Sequence, residues 1–345
     1  MKKGILPSII FICCLATAGL QGCKKESTLG IDNDSVIKTP FTFYAANSDG
    51  GLINSTDGEH FVDIFPPDGY ATRLILTSGP NLMILKDNLF LSENMGHNFN
   101  PAYTNVKKFP WQTMVYDYAN QNRVYITSTE GKGIAYSEDH GKTWKTDDTW
   151  SDKTPSSFQI SSFTGLGDNT LYAYSNTGNV LFKKDNAGAD WTPVEMKGTA
   201  PQADSFFLTS NSTTLFLTDY AGEAGVWYSE DEGVNWIRFG QGALPKHTHW
   251  NCALSPNEDL SFVVGTDSAG AYRVKDGTFV AANGGLELYS SAYSICKKTN
   301  TYKNDVVKTY VLIGTNKGIY RSEDYGRTWD KMTSGVWDKK YVATY

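Results

Sequence analysis

The sequence predicts an all-β fold: a seven-bladed β-propeller of four-stranded antiparallel blades, its ring closed by the C-terminal strand pairing with the first blade. Three observations in the 345 residues carry that prediction. One eight-residue pattern recurs at near-constant intervals. The segments between its copies read as strand-sized runs broken by Gly, Asn and Asp. The two ends of the repeating region are incomplete in complementary ways.

The recurring pattern is Ser-x-Asp-x-Gly-x-Thr-Trp. Close copies are Ser137, Asp139, Gly141 and Trp144; Ser229, Asp231, Gly233 and Trp236; and Ser322, Asp324, Gly326 and Trp329. Looser copies end at Phe61, Phe99 and Trp191, and a shortened one ends at Phe279. Intervals between these aromatic positions run from 38 to 50 residues. A period of this length with strand-like content points to propeller blades.

Each unit reads alike, and residues 156–196 illustrate it. Residues 156–166 are a mixed apolar strand, 170–176 alternate, 180–184 make a third strand and 190–196 a fourth, with turn residues between them. Beyond residue 40 no stretch sustains a helical period. The pattern falls on the hairpin between the third and fourth strands. Its Asp accepts hydrogen bonds from amides of its own loop, and its Gly admits a positive φ. The Ser or Thr hydroxyl ties a neighbouring amide. The Trp opens the outer strand and packs the hairpin. The first unit, "FTFYAANSDG", lacks an innermost strand, and the terminal "KKYVATY" offers only an innermost strand. Joining them removes a free sheet edge.

The pattern resembles the Asp-box, or BNR repeat, of sialidases, sortilin-type receptors, some glucan hydrolases and photosystem II assembly factor-like propellers. The resemblance covers nearly all of residues 41–345. It implies a structural motif lying away from the ligand face, so Asp139, Asp231 and Asp324 are assigned no catalytic role. It does not extend to sialidase activity. The six arginines, at 73, 123, 238, 273, 321 and 327, leave only Arg73 near a crossover, and no Arg-Ile-Pro segment occurs. A bidentate clamp for a carboxylated sugar cannot be assembled from them.

Residues 1–22, two lysines followed by an apolar run, read as a signal peptide; the run is short of the roughly 20 apolar residues of a membrane span. Leu20-Gln21-Gly22-Cys23 resembles the bacterial lipobox, which implies lipidation of Cys23 and stable membrane anchoring. Residues 23–40 are polar and lack aromatics, as a flexible tether does. Lys24-Lys25-Glu26 is similar to signals that send some Bacteroidetes lipoproteins to the cell surface. The expected location is therefore the bacterial cell envelope, as an outer-membrane lipoprotein open to surface display. Cys252 and Cys296 are too few for a disulfide framework and read as buried thiols. With 31 basic and 37 acidic residues and no basic run beyond the tether, nucleic acid is a poor partner.

In a four-stranded blade, the outer-to-inner crossovers share one face with the turns between second and third strands. Trp111, Trp150, Trp250 and Trp337 all fall on crossovers, joined by Tyr70, Tyr103 and Tyr289. Rigid aromatics grouped on one loop face suit a binding surface. Asp152 adds a carboxylate beside Trp150. His247 and His249 set two imidazoles on one side of a strand, but no third ligand is evident, so neither a metal nor a cofactor is expected. The candidate ligand-binding set is Tyr70, Trp111, Trp150, Asp152, His247, His249, Trp250 and Trp337. The acidic crossover residues Asp68, Asp147, Asp148, Asp152 and Asp338 read mainly as solvated. Two of them, suitably spaced, would suit glycoside hydrolysis. The preferred function is a monomeric, lipid-anchored, non-catalytic binding or assembly module for a glycan or protein partner. The alternatives are a glycoside hydrolase or lyase using crossover carboxylates, and a bare scaffold.

Overall fold

The computed structural model describes 28 strands and their connections between Phe43 and Thr344; residues 1–42 and several loop segments, among them 56–61, 65–73, 109–112, 198–205, 220–225, 240–249, 254–260 and 333–339, lie outside the described residues. The strands form seven four-stranded antiparallel sheets, one per blade, and no helix occurs among the described residues. Blade 1 holds β1 (Phe43–Asn47), β2 (Leu52–Ser55), β3 (Val62–Ile64) and β28 (Lys340–Thr344). Blade 2 holds β4 (Leu74–Ser78), β5 (Asn81–Leu85), β6 (Leu89–Ser92) and β7 (Asn100–Tyr103). Blade 3 holds β8 (Met114–Tyr116), β9 (Val124–Thr127), β10 (Ile134–Ser137) and β11 (Lys145–Thr146). Blade 4 holds β12 (Ser162–Gly165), β13 (Leu171–Ser175), β14 (Val180–Lys184) and β15 (Thr192–Val194). Blade 5 holds β16 (Phe206–Ser210), β17 (Leu215–Asp219), β18 (Val226–Ser229) and β19 (Ile237–Phe239). Blade 6 holds β20 (Trp250–Ala253), β21 (Phe262–Thr266), β22 (Ala271–Lys275) and β23 (Thr278–Ala281). Blade 7 holds β24 (Ala292–Thr301), β25 (Val307–Thr315), β26 (Gly318–Ser322) and β27 (Asp330–Lys331). The ring closes as expected: β28 pairs antiparallel with β1, Phe43 opposite Thr344 and Asn47 opposite Lys340.

The chain divides into two units, the larger being Phe41–Lys298 with Thr309–Tyr345. The described part of the smaller unit is Thr299–Lys308. There the Tyr302 amide donates to the Val306 carbonyl at 2.9 Å, Asp305 adopts φ 63°, and the Lys308 ammonium sits 5.5 Å from the Tyr302 ring centre.

Within the larger unit the apolar core is divided among the seams between blades. At the first seam Tyr44, Ala46 and Leu52 pack against Leu82 and Ile84. Met83, Leu85 and Leu91 meet Met114, Val124 and Ile126 at the next. Tyr125 and Ile134 meet Phe163, Ala173 and Phe182, and the pattern continues around the ring. Second strands lie between two neighbours, so every residue of β5, β9, β13 and β21 is buried. Outer strands such as β3 and β23 face solvent on one side.

The repeated hairpin has one geometry in four blades. Ser137, Ser229 and Ser322 each donate from Oγ to the Asp two residues on, at 2.7, 2.9 and 2.8 Å. The same oxygens accept the amides of Gly141, Gly233 and Gly326. Thr143 and Thr328 donate amide and hydroxyl to the Asp carboxylate, and Asn235 does so with amide and side chain. In blade 2, Ser92, Asn94 and Gly96 reproduce the arrangement with an amide oxygen replacing the carboxylate. The residue before each glycine is left-handed too: Met95, His140, Glu232 and Tyr325 have φ of 58° to 61°.

The glycine has a second duty beyond its φ. A β-carbon on Gly141 would stand 2.7 Å from Met83 Sδ, one on Gly233 2.1 Å from Leu181 Cδ2, and one on Gly326 2.9 Å from Val263 Cγ2. In each case the obstacle belongs to the preceding blade. The motif therefore keys one blade onto the last as well as locking its own hairpin.

These hairpins predict an acid response. Desolvation is the largest single influence on Asp139 and Asp324 and opposes ionisation, but it is outweighed by hydrogen bonds from Thr143, Ser137 and the Lys142 amide at one, and from Thr328, Ser322 and the Arg327 amide at the other. Each carboxyl is held down to about 2. A folded value below the ordinary Asp value of about 3.9 stabilises the fold above that pH, and the contribution disappears as pH falls toward 2. The melting temperature of the wild type should therefore drop more steeply between about pH 4 and pH 2 than that of the Asp139→Asn/Asp324→Asn double variant. Equal slopes would remove these carboxylates from the account.

Candidate functional site

The described part of the crossover face carries a groove of about 730 Å³ at the seam of blades 3 and 4. Three segments line it: the β9–β10 turn with Gly131 and Lys132, the blade 3 to blade 4 crossover with Asp148, Trp150 and 156–159, and Thr177 of the β13–β14 turn.

A buried floor beneath the lining residues begins at Asp147. Its amide donates to the Ile134 carbonyl at 3.0 Å, and its side chain turns inward. Asp147 and Lys184 are both only 2% exposed and pair at 3.2 Å. The same carboxylate accepts the Trp191 indole N–H at 2.9 Å and the Thr149 hydroxyl at 2.6 Å. Lys184 Nζ also donates to Thr149 Oγ1 at 2.5 Å. Lys184 occupies the place that Ser137, Ser229 and Ser322 hold in other copies of the motif. Where Trp144 and Trp236 donate to the carbonyl of their own motif glycine, Trp191 is diverted to Asp147. Blade 4 has thus exchanged a local hydroxyl lock for an ion pair that crosses the seam.

Trp150 rests on that floor. It stacks on Trp191 at 5.5 Å and 20°, and meets Phe158 and Phe182 edge-on at 4.9 and 5.3 Å. Its indole N–H donates to the Asp147 carbonyl at 3.0 Å. The ring is half-buried within the seam, and its remaining edge lines the groove. This differs from a flat platform open to solvent, because the crossover's first residues run parallel to the next blade's motif: Trp150 bridges Trp191, as Lys197 bridges Asn235 and Gly284 bridges Thr328. Crossovers and motifs are therefore adjacent at the rim instead of fully separated.

The walls are polar and cationic. Lys132 Nζ sits 4.9 Å from the Phe158 ring centre and donates to the Ser156 carbonyl at 2.9 Å. Gln159 donates to the Gly131 carbonyl at 3.2 Å and accepts from Lys107 Nζ at 3.0 Å. Burial holds the Lys107 ammonium pKa below its ordinary value. Asp148 lies against Gly131.

Of the other residues read from sequence, Asp152 is exposed in the turn after Trp150 and is not among the groove's lining residues. Trp250 opens β20, with its side chain outside the described residues, as is that of Cys252. Tyr70, Trp111, His247, His249 and Trp337, with Asp68 and Asp338, lie outside the described residues. Asp147, read as a surface carboxylate, is instead a buried ion-pair partner. Tyr103 is half-buried; its hydroxyl meets Ser128 and Glu130, and burial, eased by Ser128, pushes its pKa up to about 12. Cys296 is a half-buried thiol in β24. Among the described residues, no group of three metal-ligating side chains forms. The carboxyls with a resolved shift, Glu138, Asp139, Asp168, Asp231, Glu287 and Asp324, are all shifted downward.

No protein-family model matches the chain, and no curated protein matches it. Solved structures do. The extracellular domain of a B. thetaiotaomicron protein described as a hybrid two-component system aligns at TM-score 0.55 and 13% identity, over 79% of this chain and 34% of that one. An ancestral GH74 enzyme aligns at 0.52 and 14%, over 79% and 38%. YCF48 bound to D1 peptide aligns at 0.52 and 12%, over 83% and 92%. The likeness is one of fold. This chain spans well under half the length of the first two.

Proposed function

We propose that this chain is an extracytoplasmic, non-catalytic recognition module that holds a glycan or protein partner against its crossover face, with the blade 3–4 groove as a ligand seat. The signal-like residues 1–22, Cys23 and the tether 23–40 support a lipid-anchored placement at the bacterial outer membrane. The B. thetaiotaomicron extracellular domains of similar fold are compatible with an extracytoplasmic setting. Fold alone does not choose among activities, since a GH74 enzyme and a peptide-bound YCF48 share it.

The observation that carries the reading is the groove's chemistry. Apolar edges of Trp150 and Phe158 sit beside Lys132, Gln159 and Asp148, a combination that buries a ring or side chain while orienting its polar groups. A hydrolase of the glycosidase type needs two carboxyls astride the substrate, one of them kept protonated. The groove's lining contains Asp148 alone, and the adjacent Asp147 is committed to Lys184. Glycan and peptide arrays probed with the purified chain test the reading. Lys132→Ala and Gln159→Ala should each weaken the strongest array hit by about tenfold, roughly 1.4 kcal/mol, while the melting temperature stays within about a degree. Array binding indifferent to both substitutions would move the seat elsewhere.

A further inference from the structure

The Asp147–Lys184 pair beneath the groove is arranged for reaction as well as for attraction. Lys184 Nζ lies 3.4 and 3.2 Å from the two oxygens of Asp147, with the carboxyl carbon between them. Both side chains are 2% exposed. Reacting groups held at this range, with water shut out, are in a near-attack arrangement. Trp191, 1% exposed, sets its ring centre 5.6 Å from Nζ and belongs to the buried cluster of Phe158, Phe182 and Leu171.

Two further groups complete the geometry. Thr149 Oγ1 accepts from Lys184 Nζ at 2.5 Å and donates to Asp147 Oδ1 at 2.6 Å, a continuous proton path from amine to carboxylate. The Trp191 indole N–H donates to the other oxygen, Oδ2, at 2.9 Å. One carboxylate oxygen therefore faces a proton relay and the other a fixed donor. Adhesion alone has no use for this division, because a buried ion pair holds a fold little better than apolar residues of similar volume.

We propose that Lys184 and Asp147 condense to an isopeptide bond, a covalent staple between β14 and the crossover that enters its blade. A proton passes from Nζ through Thr149 to Oδ1, leaving a neutral amine and a carboxylic acid. The amine lone pair forms the Nζ–Cγ bond, and the carbonyl pair moves onto Oδ2, where the indole N–H meets the developing charge. A second proton follows the same relay to Oδ1, the Cγ–Oδ1 bond breaks, and one water leaves as the carbonyl re-forms. Two buried charges become one neutral amide, which removes their desolvation penalty. The intramolecular approach offsets the advantage that hydrolysis has in water. A hydroxyl relays protons less readily than a carboxylic acid does, so the step is slow and newly folded chain holds the ion pair. The staple does not depend on what the groove binds.

Intact-mass spectrometry of the full chain, fresh and after prolonged incubation in the folded state, tests this. The aged chain should be lighter by one water, and proteolysis should release one branched peptide joining the segments around Asp147 and Lys184. Fragmentation has to place the bond between those two side chains, because cyclisation of an aspartate to a succinimide loses the same mass. Lys184→Arg keeps the charge without the amine and should give no branched peptide. Thr149→Val should slow branching by about a hundredfold, and Thr149→Ser should restore it. Aged wild-type chain without the branched peptide, a branched peptide that forms equally fast in urea-unfolded chain, or branching at the wild-type rate in Thr149→Val would each overturn the proposal.

Discussion

Asp147→Leu should destabilise the chain by about 3–5 kcal/mol, because it leaves the Lys184 ammonium buried with no carboxylate. Lys184 is 2% exposed, and Thr149 Oγ1 would be its remaining hydrogen-bond partner. The replacement also strands the Trp191 indole N–H, which donates to the same carboxylate. Lys184→Met should be nearly as damaging, since it leaves the Asp147 charge without its counter-ion. The double variant Asp147→Leu/Lys184→Met should recover most of the loss, because both desolvation penalties vanish together. It should still fall about 1 kcal/mol short of the wild type, for the orphaned Trp191 donor. Urea titrations with linear extrapolation give all four values. A single-variant loss under 1 kcal/mol, or a double variant no better than its parents, would show that the pair does not hold the seam.

Gly285→Ala is the second large effect. Gly285 has φ +90°, and a β-carbon there would lie 2.0 Å from the Trp329 carbonyl oxygen, a backbone atom that cannot step aside. The adjacent contacts are part of the same junction: the Trp329 amide donates to the Gly284 carbonyl at 2.8 Å and its indole to the Ala282 carbonyl at 2.8 Å. Left-handed strain of about 1–2 kcal/mol adds to the steric displacement of blade 7's motif from blade 6, so a loss of about 3 kcal/mol or more is expected. Gly188→Ala is the internal control. Its φ is not left-handed and its nearest contact, Asn186 Oδ1, is at 3.4 Å, so the change should stay within about 0.5 kcal/mol. Thermal melts of both variants decide it. Similar effects at the two positions would refute the seam geometry.

Much of the architecture was readable in the chain because the repeat is local. The side chains of Ser137, Asp139 and Trp144 make their motif hydrogen bonds within eight residues, so the sequence pattern and the hairpin are nearly the same statement. Ring closure was readable for the same reason: β1 lacked an inner neighbour and β28 lacked everything else. The seams were less legible, since they join residues 30 to 50 positions apart, as Asp147 joins Lys184. One signal was present. Aligning the looser copy that ends at Trp191 puts Lys184 in the column of buried serines, and a lysine there demands a carboxylate. The aromatics chosen for exposure were harder still. Hydropathy does not separate Trp150, folded into a seam, from Tyr289, held out of one. What separates them is the backbone conformation and the anchoring of neighbours, neither of which is written in composition.

The pairing of β28 with β1 makes biosynthesis directional. Blade 1 cannot complete its sheet, and the inner edge of β1 stays without its native partner, until residues 340–344 have been synthesised. A chain ending before Lys340 would leave the other six sheets intact and expose a bare strand flank, the template on which chains join one another. Late-truncated products of this gene should therefore polymerise instead of persisting as soluble, nearly native monomers.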